Sequence, residues 1–383
     1  MRSIVRQILT ALLLSIAAFA IDITDFGAVP NDGLDDTAAI KAALAQAADD
    51  GGGIVKIPKG TFIISRGKSG ACILEVPSNT IVEGEGTASI LKFDEAVNKT
   101  NFWRMIGSYR AVENVVIRDL ALDGSNTATK YEPGRTFEQN HGVWFFAKEG
   151  QSKNITIDNV YAHHFSGDCI ALGRGSVAAV IRNCSFHDGL RQGIQVGAHD
   201  GGSNIQVLNN RELPNVLIEG SPRGLHLEHN TGVTKVLVSG NVVNGPILAG
   251  DGIDGLTITG NHAMRIEGNI NRNVLVTNNQ LHSDHGSPAI SLGLSSNVKV
   301  SNNMIVITNP ETFAAIYAWD SAEEKKEGVM VTDNFIRCSG VAVAIAGMKG
   351  GLVSGNYAPD SESHYRNHYG RSEDIVVRNP LEE

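Results

Sequence analysis

Along one stretch of this chain, side chains able to move protons or hold anions recur at a fixed phase of a repeated strand pattern. Asp168-Cys169-Ile170-Ala171-Leu172, Gln192-Gly193-Ile194-Gln195-Val196 and Arg223-Gly224-Leu225-His226-Leu227 share the order polar, small, apolar, variable, apolar. Alternate residues of a strand face opposite sides. With Leu225 and Leu227 inward, His226 and Glu228 project together from the outer face, with Gln195 one repeat earlier and Asp168 two repeats before Glu228. Strands stacked at ~4.8 Å put Asp168 roughly 10 Å from Glu228. Two carboxylates about 6.5–9.5 Å apart can serve as acid and base across a glycosidic bond. His226 can instead handle the proton, with Glu228 fixing its tautomer. The same set admits a second chemistry. Arg191 or Arg223 clamps a uronate carboxylate, and His226 or His141 removes the C5 proton.

Structural roles compete at these positions. Asp168 follows a glycine and can bond turn amides, Arg191 can pair with Asp188, and His163 and His164 read as turn residues after a strand. The substrate-binding set is Arg191, Gln192, Gln195 and Arg223, with the aromatics Trp144, Tyr317 and Trp319. With Val143 and Phe145 inward, Trp144 and Phe146 face out, and Tyr317 and Trp319 do so with Ile316 inward. Such rings either stack on sugars or pack beneath loops. Arg265 and Glu267 repeat the charged outward pair. No His, Asp, Glu or Cys cluster has strong metal-ligand spacing, so no metal or cofactor is expected. A lyase reading would bring Ca2+ to the acidic groove residues.

Holding these residues in register requires a stack of short strands. From Asn154 onward a unit of alternating aliphatic residues ending at an asparagine recurs, as in NITIDN, NIQVLNN, KVLVSGN and NVLVTNN. The asparagines stand at 159, 183, 210, 241, 261, 279, 303, 334 and 356, with gaps of 18 to 31 residues. Period-two alternation without a helical period predicts strands, and a strands-only repeat of this length predicts a parallel β-solenoid. The asparagine column is expected to be structural, because asparagine tolerates left-handed backbone and bonds across turns. Ahead of the repeats, Asp35 or Asp36 can cap a helix over Thr37 to Ala48 with Ile40, Leu44 and Ala47 on one face. Such a helix suits the open end of a solenoid. An irregular insert between Asp123 and His141 carries Tyr131, Glu132, Arg135 and Glu138 and is expected to wall the groove. From Pro359 the chain turns polar, with only Asp374 to Val377 strand-like. The expected segments are a signal peptide (1–20), an N-terminal module (21–65), the solenoid (66–358) and a polar tail or cap (359–383).

The 383 residues include 42 Gly but 12 Phe and 3 Trp, a balance that favours many turns and short strands. A net charge of -9 argues against general nucleic-acid affinity while leaving room for a locally basic groove. Arg2 and Arg6 precede an apolar run from Ile8 to Phe19, and Ala18-Phe19-Ala20 supplies a small-x-small cleavage pattern. This predicts export to the periplasm or medium, with a mature chain from Ile21. The run is shorter than the ~20 residues a span needs, and no later stretch is apolar enough, so no membrane association is expected after signal removal. Cys169 and Cys184 either pair or remain buried thiols, beside Cys72 and Cys338.

The module DITDFGAVPNDGLDDTAAIKAALAQAADDGGGIVKIPKGTFIIS resembles the N-terminal module of the pectate-lyase-like superfamily, which includes rhamnogalacturonases, polygalacturonases, mannuronan epimerases and phage tailspikes. The resemblance implies an all-β, single-stranded, right-handed parallel β-helix with a short N-terminal capping helix. It leaves the reaction open, because these families differ in chemistry on one scaffold. Polygalacturonase-type hydrolases carry NTDG, GDDC, GHG and G-x-R-x-K on successive coils. Here the matching segments are Asn140-His141-Gly142, Gly167-Asp168-Cys169, Arg191-Gln192-Gly193 and Gly224-Leu225-His226-Leu227-Glu228. Asp168 alone keeps a family carboxylate. His141 stands in place of an Asp, Gln192 of a His, and His226 and Glu228 of Arg and Lys. Mannuronan epimerases likewise carry an outward acid and histidine two apart on one strand. The leading expectation is a hydrolase that cleaves an acidic or plant-type polysaccharide, polygalacturonase- or rhamnogalacturonase-like. A polyuronate lyase or C5-epimerase comes second, and a non-catalytic, tailspike-like glycan-binding protein third.

Overall fold

A computed structural model describes residues 20–66, 72–100, 102–130, 132, 137–218, 224–321 and 326–378. Nearly all of the expected signal peptide, and Tyr131, Arg135 and Arg223, lie outside them. Among the described residues, no helix is long and apolar enough to cross a membrane.

The alternating runs form short parallel strands that stack coil upon coil. One sheet of 12 strands begins at Cys72–Glu75 and ends at Ser363–Asn367. A second has 19 strands, and four more, from His262–Ala263 to Phe335–Arg337, make a third. The result is a parallel β-helix. Inward residues fill its axis: Ile170, Leu172, Ile194, Val196, Leu225 and Leu227 are all 0% exposed. Each buried aliphatic side chain contributes about 1.5–3 kcal/mol, so burial sets the register of the outward residues between them. The helix Thr37–Asp49 buries Ile40, Ala43, Leu44 and Ala47 in the same core. Asp35 Oδ1 accepts the Thr37 N–H at its start, while Asp36 instead accepts the N–H groups of Val29 and Ile63.

The asparagine column divides into two kinds. Asn159 and Asn183 are left-handed, with φ of 52° and 54°. From Asn210 onward the repeat asparagines are buried, and left-handed backbone falls on preceding residues such as Asn209, Asn278 and Asn302. Asn210 Oδ1 accepts the Cys184 backbone N–H, and from Asn241 on each buried amide oxygen accepts from the neighbouring coil's asparagine, as when Asn279 Oδ1 takes the Asn261 backbone N–H at 3.0 Å and Nδ2–H at 3.0 Å. Asn279 Nδ2 in turn donates to Asn303 Oδ1 at 3.0 Å. Asparagine serves here because one side chain both accepts and donates inside a dry corner.

Two alternatives left open by the sequence are decided. The described residues beyond Pro359, as far as Arg378, are not a loose end. Ser363–Asn367 pairs with Val341–Ala346 and Glu373–Arg378 pairs with Lys349–Ser354, extending two sheets. Its alternation is weak because this last coil packs on one side, leaving Tyr365 and Ile375 only partly buried. Cys169 and Cys184 are separate buried thiols, as are Cys72 and Cys338.

One inward position carries a carboxylate. Glu212 pairs in register with Phe186, is 3% exposed, and accepts the Asn244 N–H at 2.7 Å and the Gly245 N–H at 3.2 Å. Burial pushes its pKa up to about 7, against these hydrogen bonds. A carboxyl raised in the folded state binds protons more tightly there than in the unfolded chain. Its contribution is therefore complete below its ordinary value and is lost as pH rises to about 7. Glu212→Gln should flatten this loss, about 3 kcal/mol in all. Urea unfolding at pH 5, 6, 7 and 8 checks it. Parallel pH profiles for the two proteins would exclude Glu212 as the source.

Candidate active site

The register of the 12-stranded sheet brings Trp144, Ala171, Gln195, His226, Leu248 and Glu267 into one outward column. Gly193 lies beside it, and a Cβ there would come within 1.9 Å of the Phe186 ring, so only glycine lets that ring pack beneath the start of the Ile194–Val196 strand.

Arg191 reaches this face from the turn between Ser185–Gly189 and Ile194–Val196. Its Nη1 donates to Asp168 Oδ2 at 2.8 Å and its Nη2 to Glu228 Oε1. Burial alone would lower the guanidinium's pKa, but the two adjacent carboxylates outweigh it and raise it. One cation thus spans both carboxylates proposed as acid and base, holding them closer than the ~10 Å of coil stacking. The Asp168 side chain is fully buried, and its Oδ1 has no hydrogen-bond partner. Glu228 keeps 15% exposure. The alternative partner, Asp188, is instead occupied by the backbone N–H groups of Val216, Leu217 and Ile218.

His226 keeps 18% exposure, with Nδ1 2.6 Å from Gln192 Nε2 and 3.6 Å from Glu228 Oε2. The Gln192 amide, more than Glu228, holds this ring. Gln192 is buried, and its Oε1 has no other partner. A half-turn of the amide aims that oxygen at Nδ1, which puts the ring proton on Nδ1 and the lone pair on Nε2. The nearby Glu228 carboxylate favours that tautomer. Gln195, 5% exposed, reaches Glu228 Oε1 with Nε2 at 3.4 Å.

His141 does not face an incoming substrate. Its side chain is fully buried, Nδ1 accepts the Asp168 backbone N–H at 2.9 Å, and Nε2 lies 3.3 Å from Gln139 Oε1. Burial lowers its pKa despite Asp168, so the ring is a neutral brace. Trp144 is also covered, 9% exposed, with His141 stacked on it at 4.5 Å and Phe146 at 5.9 Å. The Arg104 guanidinium lies over the same ring at 5.0 Å. Arg104 pairs in register with His141, a placement the repeat pattern left unread because the earlier coils are irregular. The expected sugar platform at Trp144 is thus filled by the protein's own rings and cation.

The open part of the face lies on the other side of His226. A cleft of about 410 Å3 is lined by His226, Leu248, Asp251, Glu267, Asn269 and Trp319. Trp319 therefore stands where a sugar can reach it. Tyr317 packs against Phe313, with ring centroids 4.9 Å apart, and stacks with Trp319 at 6.4 Å. Arg265 pairs with Glu267 at 2.9 Å. Asp168 and Glu228 share Arg191, so two carboxylates face one guanidinium at this point.

The fold is a parallel β-helix whose outer face carries an ionic cluster beside an aromatic-ended cleft. The chain belongs to the rhamnogalacturonase A/epimerase, pectate lyase-like family, whose model matches residues 20–245. Mannuronan C5-epimerase AlgE5 of Azotobacter vinelandii is 27% identical over 203 residues, covering 51% of this chain and 20% of that protein. The chain thus spans about a fifth of the length of that relative. Among solved structures, the A-module of mannuronan C-5 epimerase AlgE6 from A. vinelandii superposes with a TM-score of 0.67 at 19% identity, covering 94% of this chain and 99% of that one. An exopolygalacturonase of Thermotoga maritima gives 0.52 at 13% identity, covering 94% and 91%. The structural matches establish the right-handed parallel β-helix and nothing finer.

Proposed function

We propose that the protein acts on a uronate-containing polysaccharide by moving the proton at C5, as an epimerase or a β-eliminating lyase. The observation that carries this is the Arg191 bridge. Inverting hydrolysis needs room for a water between two carboxylates, and retaining hydrolysis needs one of them free to attack the anomeric carbon, but here a guanidinium bridges the pair and Asp168 is buried. His226 remains accessible beside Glu228. The sequence likeness to mannuronan C5-epimerases points the same way.

In this reading the sugar ring occupies the cleft between His226 and Trp319. Two of the five N–H groups of Arg191 hold Asp168 and Glu228, and the others can bind the substrate carboxylate, which eases loss of the C5 proton. His226 Nε2 takes that proton, with Glu228 stabilising the imidazolium. A solvent proton delivered to the opposite face completes epimerisation, whereas loss of the C4 oxygen substituent, protonated from solvent, completes elimination. Because the substrate is a polymer, the reaction is placed outside the cytoplasm, with residues 1–20 as the export signal.

Incubation with polymannuronate and polygalacturonate in D2O tests the reading. Deuterium at C5 without cleavage identifies an epimerase, and a conjugated unsaturated end identifies a lyase. New reducing ends with neither signature would establish the hydrolytic reading instead. Binding without any turnover would establish the non-catalytic one.

A further inference from the structure

On the 19-stranded sheet, away from the cleft, Lys92, Asp123, His163 and His187 form one column across four successive coils. His164 follows with φ of 55°, in the left-handed region. That angle breaks the strand alternation and brings its ring beside His163, with centroids 4.7 Å apart. Asp123 Oδ1 stands 3.7 Å from His163 Nδ1 and 3.8 Å from His164 Nδ1, and the two nitrogens are 2.5 Å apart. The centre of a triangle with those sides lies about 2.0 Å from each corner, matching zinc–imidazole and zinc–carboxylate bonds of about 2.0–2.2 Å.

We propose that Asp123, His163 and His164 form a Zn2+ site that ties two coils together. The surroundings suit this role. Lys92 Nζ holds Asp123 Oδ2 at 2.7 Å and leaves Oδ1 turned toward the imidazoles. The Ser125 backbone N–H donates to that Oδ1 at 2.8 Å, in the manner of the hydrogen bonds that orient ligating carboxylates. Asp188 Oδ2 lies 3.6 Å from His164 Nε2, a nearby negative charge that is itself held by His187 and the Val216 N–H. His187 is committed elsewhere, with Nδ1 on Asp188 at 2.6 Å and Nε2 on the Tyr161 hydroxyl at 2.7 Å, while its ring stacks on His163 at 5.3 Å. The three ligands keep 15–29% exposure, so solvent can bring the ion and supply a fourth ligand. Two nitrogens in three donors favour zinc over calcium. Without an ion the facing Nδ1 atoms must share a proton. Zinc replaces that proton, and the nitrogens part by under ~1 Å to reach tetrahedral spacing. The ligating pair lies just before the turn through Ser166 that delivers Asp168. The site is independent of the reaction proposed above.

Tag-free protein stripped with a chelator and titrated with Zn2+ at neutral pH should bind one ion per chain, with no competition from Ca2+. His163→Gln and Asp123→Asn should each weaken binding by more than about a hundredfold, beyond the 10–100-fold of an outer-shell loss. His226→Ala should bind zinc as the parent does. If the first two variants fail to fold, paramagnetic resonance of the Cu2+-loaded parent protein decides, with two coordinated imidazoles expected. Absence of stoichiometric zinc, unchanged affinity in the variants, loss of binding in His226→Ala, or a copper spectrum without imidazole would overturn the proposal.

Discussion

His226→Ala is expected to reduce turnover of the responsive polyuronate by about 10²–10⁴-fold, the usual contribution of a positioned acid–base group. The loss should fall on kcat. His226 lines the cleft, whereas binding also draws on Trp319 and on Arg191. Stability should change little, because the side chain is partly exposed and outside the core. Glu228→Gln separates two roles. If Glu228 stabilises the imidazolium, the variant slows turnover and shifts its pH profile; if Glu228 only anchors Arg191, the profile keeps its shape. Steady-state kinetics with C5 deuterium exchange supplies both readouts. Full exchange in His226→Ala would remove this residue from the chemistry.

Arg191→Met should have the largest effect on the scaffold, destabilising it by about 3–5 kcal/mol, the cost of stranding a buried charge. The reason is specific to Asp168, whose side chain is fully buried, and whose Oδ2 otherwise meets only the neutral ring of His141, 3.2 Å away. Glu228, partly exposed, can turn to water. Adding Asp168→Asn to Arg191→Met should therefore restore part of the lost stability, and adding Glu228→Gln much less. Urea unfolding of the single and double variants measures this coupling. A loss below about 1 kcal/mol for Arg191→Met, the range of a surface pair, would mean that water already screens the bridge.

The fold was legible because its cause is local and repeated. Each coil carries inward aliphatics at period two, and burial of Ile194, Val196, Leu225 and Leu227 follows directly from that alternation. The outward column was legible for the same reason, so Gln195, His226 and Glu228 could be placed together before any contact was known. The asparagine ladder was half legible. Its structural role followed from residue type, but its burial and its division from the left-handed positions depended on how neighbouring corners stack.

Turns and coverage were not legible. Arg191 lies in a turn, and nothing in the period-two pattern says which way a turn residue reaches. Trp144 holds outward phase yet is buried, because Phe146 and Arg104 close over it, while His141, at the inward phase of Val143, stacks against it. Asp123, His163 and His164 meet although Asp123 and His163 are 40 residues apart in the chain, through coil stacking and one left-handed residue.

The sequence by itself determined the solenoid, its inward and outward residues and the neighbourhood of His226 and Glu228, since alternation and burial act within each coil. Tertiary structure decided that one guanidinium joins Asp168 to Glu228, that the aromatic end of the groove lies at Trp319 and not at Trp144, and that two adjacent histidines turn toward one aspartate. Each of these depends on the stacking of separate coils, where side chains from different repeats compete for the same space and charge.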